Sequence, residues 1–213
     1  MQTPRGLFIT IEGVEGVGKS TNIDVIKRYL TDKKIDFVVT REPGGTFLAE
    51  KIRELLVKAH IEENLSDLSE LLLIFASRAQ HLEKLIKPTL AKGTWVICDR
   101  FTDATYAYQG GGRGLDQRKI SLLEKLVQED LRPDLTVILD LNPQVGLERA
   151  KRRGELDRFE NEDMDFFKKV RATYLDTAAA DPKRCIVLDA SLELSEVKSQ
   201  LLKSLKTKLS ELL

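Results

Sequence analysis

The sequence predicts an α/β protein: a three-layer α/β/α sandwich built on a five-stranded parallel sheet. Short apolar, β-branched runs alternate with longer helical patterns from one end of the chain to the other, the order of successive βαβ units with right-handed crossovers. Each short run is nearly continuous in apolar character, as a parallel strand covered on both faces must be. Ligands of such a sheet bind beyond the carboxyl ends of its strands.

The first strand, Leu7 to Ile11, runs into a glycine-rich stretch and then a helix over 19–32. A second strand, Phe37 to Thr40, precedes a helix over 47–59. The pattern over 67–92 is unusual, because Leu71, Leu72, Leu73, Ile74 and Phe75 are consecutive and Leu68, Ala76, Ala79, Leu82, Leu85 and Ile86 surround them. Such a helix has to bury two sides. A second copy of the chain, meeting it through the helix around 67–87, is the economical partner, although another helix of the same chain would also serve. The third strand is Trp95 to Cys98, followed by a helix over 115–130. A fourth strand, Leu135 to Leu139, leads to helices over 143–153 and 163–179. The fifth, Cys185 to Leu188, is followed by a helix over 193–211, where Leu194, Val197, Leu201, Leu205 and Leu209 recur at three- and four-residue spacings. No repeat, low-complexity tract or linker interrupts the series, so residues 1–213 read as a single domain.

Composition narrows the function classes. The 34 basic and 34 acidic side chains balance, so no long-range field draws the chain to nucleic acid or membrane. No run approaches the roughly 18 apolar residues of a membrane span. Two cysteines, Cys98 and Cys185, make neither a disulfide framework nor a metal site, and His60 and His81 are too isolated for one. Both histidines are expected on solvated or partly covered helix faces. The N-terminus lacks the regions of a secretory signal, and a reducing cytoplasm is the expected compartment.

Gly13-Val14-Glu15-Gly16-Val17-Gly18-Lys19-Ser20 sits between a strand and a helix, the setting of a phosphate-binding P-loop. Its glycines let successive N–H groups turn inward toward phosphate oxygens. Lys19 brings charge to the β and γ phosphates, Ser20 offers a hydroxyl to Mg²⁺, and the helix N-terminus favours anions. The fold is therefore expected to be that of the P-loop NTPases. Glu15 is out of place there, since polyphosphate repels a carboxylate. Asp99-Arg100 ends the third strand, where such enzymes place the carboxylate that holds Mg²⁺ or its waters, and Arg100 could clamp a phosphate. Arg41-Glu42-Pro43-Gly44-Gly45-Thr46 ends the second strand as a tight, exposed turn. Phe75 and Arg78 share a helix face. Tyr106-Ala107-Tyr108-Gln109-Gly110-Gly111-Gly112-Arg113-Gly114 reads as a polar aromatic segment followed by a flexible loop. Arg149, Lys151, Arg152, Arg153 and Arg158 form a basic run that could fold over an anionic ligand as a lid at about 149–162.

Together and in this order, these segments resemble the thymidylate kinase family over essentially the whole chain. The most specific parts are Glu12 to Thr21, Thr40 to Thr46, Asp99-Arg100 with Tyr108 to Gly114, and Arg153 to Arg158. The resemblance implies transfer of a phosphoryl group from Mg-ATP to dTMP. It implies ATP contacts from Gly13, Val14, Glu15, Gly16, Val17, Gly18, Lys19, Ser20 and Thr21, with Arg149 and Arg153 from the lid. It assigns Glu15 to the 3′-hydroxyl of dTMP, which removes the repulsion puzzle. Arg78 falls at the position that donates to O4 of thymine, where cytosine presents a donor and would be rejected. Thr105 falls at a base contact, Tyr108 at a residue that crowds the 2′ carbon, and Gln109 beside them. Arg100, with Arg41 as helper, falls at the clamp on the dTMP phosphate. Where some members carry an arginine inside the P-loop, this chain has Gly16, and Arg153 falls at the lid arginine that replaces it. One departure concerns the aromatic residue expected four positions before Arg78. That position is Ile74, so either Phe75 rotates into the site or thymine packs on an aliphatic wall.

The acceptor is already an anionic phosphate oxygen, so catalysis is expected to rest on positioning and charge neutralisation. Lys19, Arg100 and Arg153 are the expected cations, with Mg²⁺ on Ser20 and Asp99. A kinase for another nucleoside monophosphate, a deoxynucleoside kinase and a non-catalytic ATP-binding module are the rival readings.

Overall fold

Five parallel strands form the sheet: β1 (Phe8–Glu12), β2 (Phe37–Arg41), β3 (Trp95–Asp99), β4 (Leu135–Asp140) and β5 (Cys185–Asp189), in the spatial order β2-β3-β1-β4-β5. The structure is a computed structural model that describes residues 5–58, 63–154 and 157–212, and of residues 153, 211 and 212 the backbone alone. His60, Glu155, Leu156 and the Arg153 side chain therefore lie outside the described residues.

Every strand runs one residue beyond its apolar run, and that residue is charged: Glu12, Arg41, Asp99, Asp140 and Asp189. The parallel register carries them, pairing Ile11 and Arg41 each with Asp99, and Asp140 with Asp189. Hydropathy marks where apolar character ends, whereas the hydrogen-bond ladder continues to the sheet's carboxyl edge. Strand order reverses at the central β1, so the glycine loop leaves the sheet at its switch point, where the crevice of an open α/β sheet lies.

The helices are α1 (Lys19–Asp32), α2 (Phe47–Val57), α3 (Asp67–His81), α4 (Lys87–Ala91), α5 (Thr102–Thr105), α6 (Gln117–Gln128), α7 (Pro143–Arg153), α8 (Met164–Ala180) and α9 (Leu194–Leu212). Side-chain caps start several of them: Thr46 accepts from the Ala49 N–H, Asp116 from Arg118, Asn142 from Gln144 and Asp163 from Phe166. Alternate residues of the central strands face opposite layers. Ile9, Ile11 and Ile97 cluster with Ile26 and Leu30 of α1 and Leu201 and Leu205 of α9, whereas Phe8, Val96 and Cys98 cluster with Leu82, Ile86 and Leu90. The three-layer sandwich expected from the sequence is present.

Two segments differ from expectation. The helix read over 67–92 is α3 and α4 joined by a π-helical turn, Leu82–Ile86. Pro88 explains the break, because it has no N–H for an i→i−4 bond and its ring crowds the preceding turn, which the wider π turn accommodates. The segment read as a flexible loop is ordered: α5 continues as a second π-helical stretch, Tyr106–Gly112. Its glycines serve close packing and not flexibility. A Cβ on Gly111 would sit 2.1 Å from Thr173 Oγ1, and one on Gly112 2.4 Å from the Phe166 ring, both on α8.

A Gly112→Ala substitution is therefore expected to destabilise the fold by about 1–3 kcal/mol through overpacking. Chemical denaturation would show this as a lowered midpoint with an unchanged m-value, and a midpoint equal to wild type would contradict the packing argument.

Candidate active site

The P-loop lies at the carboxyl end of β1. Gly13, Gly16 and Gly18 have φ of 134°, 68° and 89°, values that L side chains rarely adopt. Gly16 is also sterically required, since a Cβ there would lie 1.9 Å from the Gly146 carbonyl oxygen on α7. Glu15, Gly16, Val17, Gly18, Lys19, Ser20 and Thr21 line a cavity of about 1180 Å³, and Arg41, Asp99, Arg100 and Arg149 border it. The structure places Gly13 and Val14 beneath the loop instead: their carbonyls accept from the Lys19 ammonium at 3.3 and 3.1 Å, and the Val14 side chain joins the core. Burial, and then the neighbouring Arg100, push the Lys19 pKa down. Asp99 Oδ1 is buried without a hydrogen-bond partner.

A second cavity of about 620 Å³ opens beside the first. Ile74, Arg78, Phe101, Thr105, Tyr108 and Gln109 line it, with Val57 of α2 and with Asp157 and Phe159 of the lid segment. Glu15, Glu42, Arg53, Arg100 and Asp157 border both cavities, so the two meet at a floor of paired charges.

Arg100 organises that floor. It adopts a left-handed conformation, φ 68°, uncommon for a residue with a Cβ. The turn is held by its own N–H to Ile11 O at 3.0 Å and by the Phe101 N–H to Glu12 Oε1 at 2.7 Å. Its guanidinium donates to Glu15 Oε1 at 2.6 Å, to Gly13 O at 2.9 Å and to the Tyr174 hydroxyl at 3.2 Å, and stacks 4.8 Å from the Tyr108 ring centroid. Tyr108 donates its hydroxyl to the same Glu15 oxygen at 2.9 Å. Burial works to raise the Glu15 pKa, but Arg100, Lys19 and Tyr108 hold it down at about 2. The acidic residue of the loop is thus an anion neutralised by its own site.

Glu12 is the opposite case. It is wholly buried and accepts from Phe101 N and from the Tyr174 hydroxyl at 2.9 Å. Burial, followed by the charge of Asp103, raises its pKa to about 8 despite Arg100 and these bonds.

Arg78 emerges from α3 into the second cavity. Nε donates to Glu42 Oε2 at 2.7 Å and Nη2 to Thr105 Oγ1 at 2.9 Å, while Nη1 is buried with no partner. Ile74 forms the cavity wall beside it. Phe75 turns into a cluster with Leu71 and Ile120 and supports the guanidinium from behind, 4.8 Å from its ring centroid. Of the two alternatives at this position, Ile74 lines the cavity and Phe75 does not. Gln109 lines it too, its amide donating to Glu70 Oε1 at 2.7 Å. Arg41 pairs with Glu50 at 2.9 Å and borders the first of these cavities but not the second. Arg53 of α2, and not Arg41, joins Arg100 at their junction, its Nη1 donating to Pro43 O at 2.9 Å. Sequence reasoning missed Arg53 because one arginine on an amphipathic helix looks like any solvated charge. Its function appears only when α2 folds across the turn after β2. His81, expected on a covered or solvated face, is fully buried between Glu42 and Thr40.

The described residues after Leu156, in the segment expected to act as a lid, are docked. Arg158 donates to Leu56 O at 2.8 Å and to Glu70 Oε2 at 2.5 Å, and Arg113 pairs with Glu70 and Glu162. One buried carboxylate thereby ties the lid segment, α3 and the end of the π-helical stretch together.

Comparison with known proteins agrees with this arrangement. The family model for thymidylate kinase matches residues 11–201. The thymidylate kinase of Pseudomonas savastanoi pv. phaseolicola is 57% identical over 196 residues, covering 92% of this chain and 93% of that one. That of Hahella chejuensis is 52% identical over 206 residues, covering 97% and 99%. Among solved structures, the thymidylate kinase of Ehrlichia chaffeensis superposes with a TM-score of 0.77 at 38% identity, covering 95% and 99%.

Glu12 gives a testable pH dependence. A carboxyl whose pKa rises on folding adds stability that is fully present below its unfolded value of 4.5 and is lost as pH climbs through about 8. Between pH 6 and 9 the protein is expected to lose roughly 2–3 kcal/mol by this route, and Glu12→Gln should flatten the profile. Equal slopes for wild type and variant in urea titrations across this range would refute it.

Proposed function

Since the chain belongs to the thymidylate kinase family and phosphorylates dTMP to dTDP with ATP, we propose that the larger cavity takes the ATP phosphates and the smaller one takes dTMP. The observation that carries this assignment is Arg78 Nη1, a buried guanidinium nitrogen without a protein partner at the wall of the smaller cavity. A buried donor left unpaired is costly unless a ligand supplies the acceptor, and O4 of thymine is such an acceptor. Thr105 and Ile74 flank the base, so thymine packs on an aliphatic wall. Tyr108 and Glu15 lie toward the sugar, and Arg100 and Arg53 flank the acceptor phosphate at the junction.

Mg²⁺ fits the residues present. Asp99 Oδ1 is buried and unpartnered beside the cavity that Ser20 lines, and these two would hold the ion, directly or through water. When bound, it supplies positive charge to the β and γ phosphates. Lys19 and Arg100 neutralise charge spreading over the transferred phosphoryl, and the acceptor oxygen needs no base because it is already anionic. Arg149 borders the ATP cavity, and α7 continues to Arg153, which we assign as the lid arginine closing over the phosphates. The lid segment also covers dTMP through Asp157 and Phe159, excluding water from the transfer. The whole chain acts as one domain.

Two further assignments follow the same reading. Leu68 and Leu72 on α3 and Leu122 and Leu126 on α6 are 48%, 49%, 70% and 75% exposed, at i,i+4 spacing on two helices that pack together. We assign this stripe to a homodimer interface. The cytoplasm is the proposed compartment, in keeping with two free buried cysteines. Among the described residues no helix is long and apolar enough to cross a membrane.

Titrating dTMP into the protein with a non-hydrolysable ATP analogue should show saturable binding, and ADP release should favour dTMP over dUMP, dCMP, dGMP and AMP. Preference for another acceptor would overturn the assignment. Arg153→Ala should lower kcat by about 10²-fold or more, as loss of a phosphate-facing arginine does, and near-normal turnover would remove Arg153 from the mechanism. In a separate test, Leu72→Glu combined with Leu126→Glu should halve the mass measured by light scattering, while an unchanged mass would exclude this face as the interface.

A further inference from the structure

The motif that closes β2, Arg41-Glu42-Pro43-Gly44-Gly45-Thr46, carries as its second residue the counterion of Arg78. A buried guanidinium needs a fixed set of partners. Glu42 Oε2 takes the Arg78 Nε–H at 2.7 Å, and Glu42 Oε1 faces His81 Nδ1 at 3.0 Å. His81 Nε2 in turn lies 2.7 Å from Thr40 Oγ1. All four residues are buried, His81 completely. Thr40, at the end of β2, thus connects through His81 and Glu42 to Arg78.

One proton arrangement satisfies every group. A ring protonated at Nδ1 donates to Glu42, while Nε2 accepts the Thr40 hydroxyl proton. The reverse tautomer would set a nitrogen lone pair against a carboxylate oxygen. This protonation is inferred from the network of partners. The ring is also clamped sterically. Gly45, with φ 85°, lies so close that a Cβ there would be 2.4 Å from His81 Nε2 and 2.5 Å from Thr40 Oγ1. The glycine after Gly44 is therefore required by the histidine beneath it.

With Nε fixed by Glu42 and Nη2 by Thr105, rotation of the planar guanidinium is locked, and Nη1 is the nitrogen left for the ligand. We propose that His81 and Glu42 are positioning residues that set pyrimidine specificity, holding Arg78 so that its free N–H donates to a base carbonyl and meets the amino group of cytosine as a clash of donors. This rests on the assignment of Arg78 to the base. It assigns no part in phosphoryl transfer to either residue, so their loss should be felt in acceptor binding and choice.

The test is steady-state kinetics at saturating ATP with dTMP and with dCMP, on the full chain, with folding checked by thermal melting. His81→Leu removes the Nδ1–H and is expected to raise KM for dTMP about tenfold, keep kcat within about twofold, and cut the dTMP to dCMP ratio of kcat/KM about tenfold. His81→Asn places an amide N–H where Nδ1 stood and should restore most of the ratio. A folded His81→Leu variant with wild-type KM and ratio overturns the proposal. Should that variant not fold, Glu42→Gln reads the same link, because its amide carries one acceptor oxygen for two donors. The same signature is expected of it, and wild-type values would again overturn the proposal. Arg78→Met separates the two levels. If it leaves the ratio unchanged, the assignment of Arg78 itself fails. If it collapses the ratio while the His81 and Glu42 variants do not, only the positioning role fails.

Discussion

The pairing of Glu15 with Arg100 is the constraint on which the rest of the site depends. It joins the P-loop, after the central strand, to the end of the neighbouring strand β3, across the line where the two cavities meet. Removing one partner leaves the other charge uncompensated and largely shielded from water, which is destabilising. The geometry around it is correspondingly over-determined. Arg100 is held in a left-handed turn by Glu12 through Phe101 N, by Tyr174 and by Gly13 O, and Tyr108 caps both the guanidinium and the carboxylate. Strain of that kind persists only where the surroundings fix it. Here they fix a cation at the junction of the two cavities.

A second constraint is backbone contact between the P-loop and α7. Gly16 and Gly146 approach so closely that a Cβ on either would meet carbonyl oxygen, of Gly146 at 1.9 Å or of Glu15 at 2.3 Å. Any side chain at position 16 would force α7 away. Arg149 follows Gly146 by three residues and so stays on the same helix face, where it borders the larger cavity. The tight glycine pair thus explains two things together: a P-loop without its own arginine, and a basic helix close enough to supply one. Substituting charge in the loop would undo the approach that places Arg149 beside the larger cavity.

Much of the fold was legible because burial is a local property. Alternating apolar runs gave all five strands, and α1 and α7 coincide with their predicted spans. The charged residue closing each strand was invisible to hydropathy, since its place in the ladder comes from the neighbouring strand's hydrogen bonds. Tyr106–Gly112 misled for a related reason. Three consecutive glycines read as flexibility, and only the presence of Phe166 and Thr173 against them shows that they make room for α8. The P-loop residues that face the cavity were legible because that motif is a contiguous backbone device. Arg53 and His81 were not, because each is one ordinary residue on a helix whose meaning depends on what folds over it. Ile74 and Phe75 show the limit of spacing: one residue apart in sequence, they lie about 100° apart around a helix, and the structure gives the cavity to Ile74.

Two of the three arginines that border the smaller cavity, Arg78 and Arg100, are built in the same way. Arg78 lies between the rings of Phe75 and Phe101, at 4.8 and 5.0 Å, with Glu42 as counterion. Arg100 lies against Tyr108 with Glu15 as counterion. A free arginine side chain loses up to about 2 kcal/mol of rotamer entropy when it is ordered. Here that ordering is part of folding, so it is not charged against ligand binding. The cost is two ion pairs shielded from water, Arg78–Glu42 fully and Arg100–Glu15 in large part, which contribute little net stability. A planar donor fork fixed in advance distinguishes a carbonyl from an amino group, whereas a mobile cation would turn to suit either. In the roles proposed above, the same rigidity at Arg100 places charge where it develops during transfer, with no reorganisation at the moment of reaction. On that proposal, selectivity at one end of the acceptor and rate at the other draw on one physical device, a guanidinium immobilised by a carboxylate and an aromatic face.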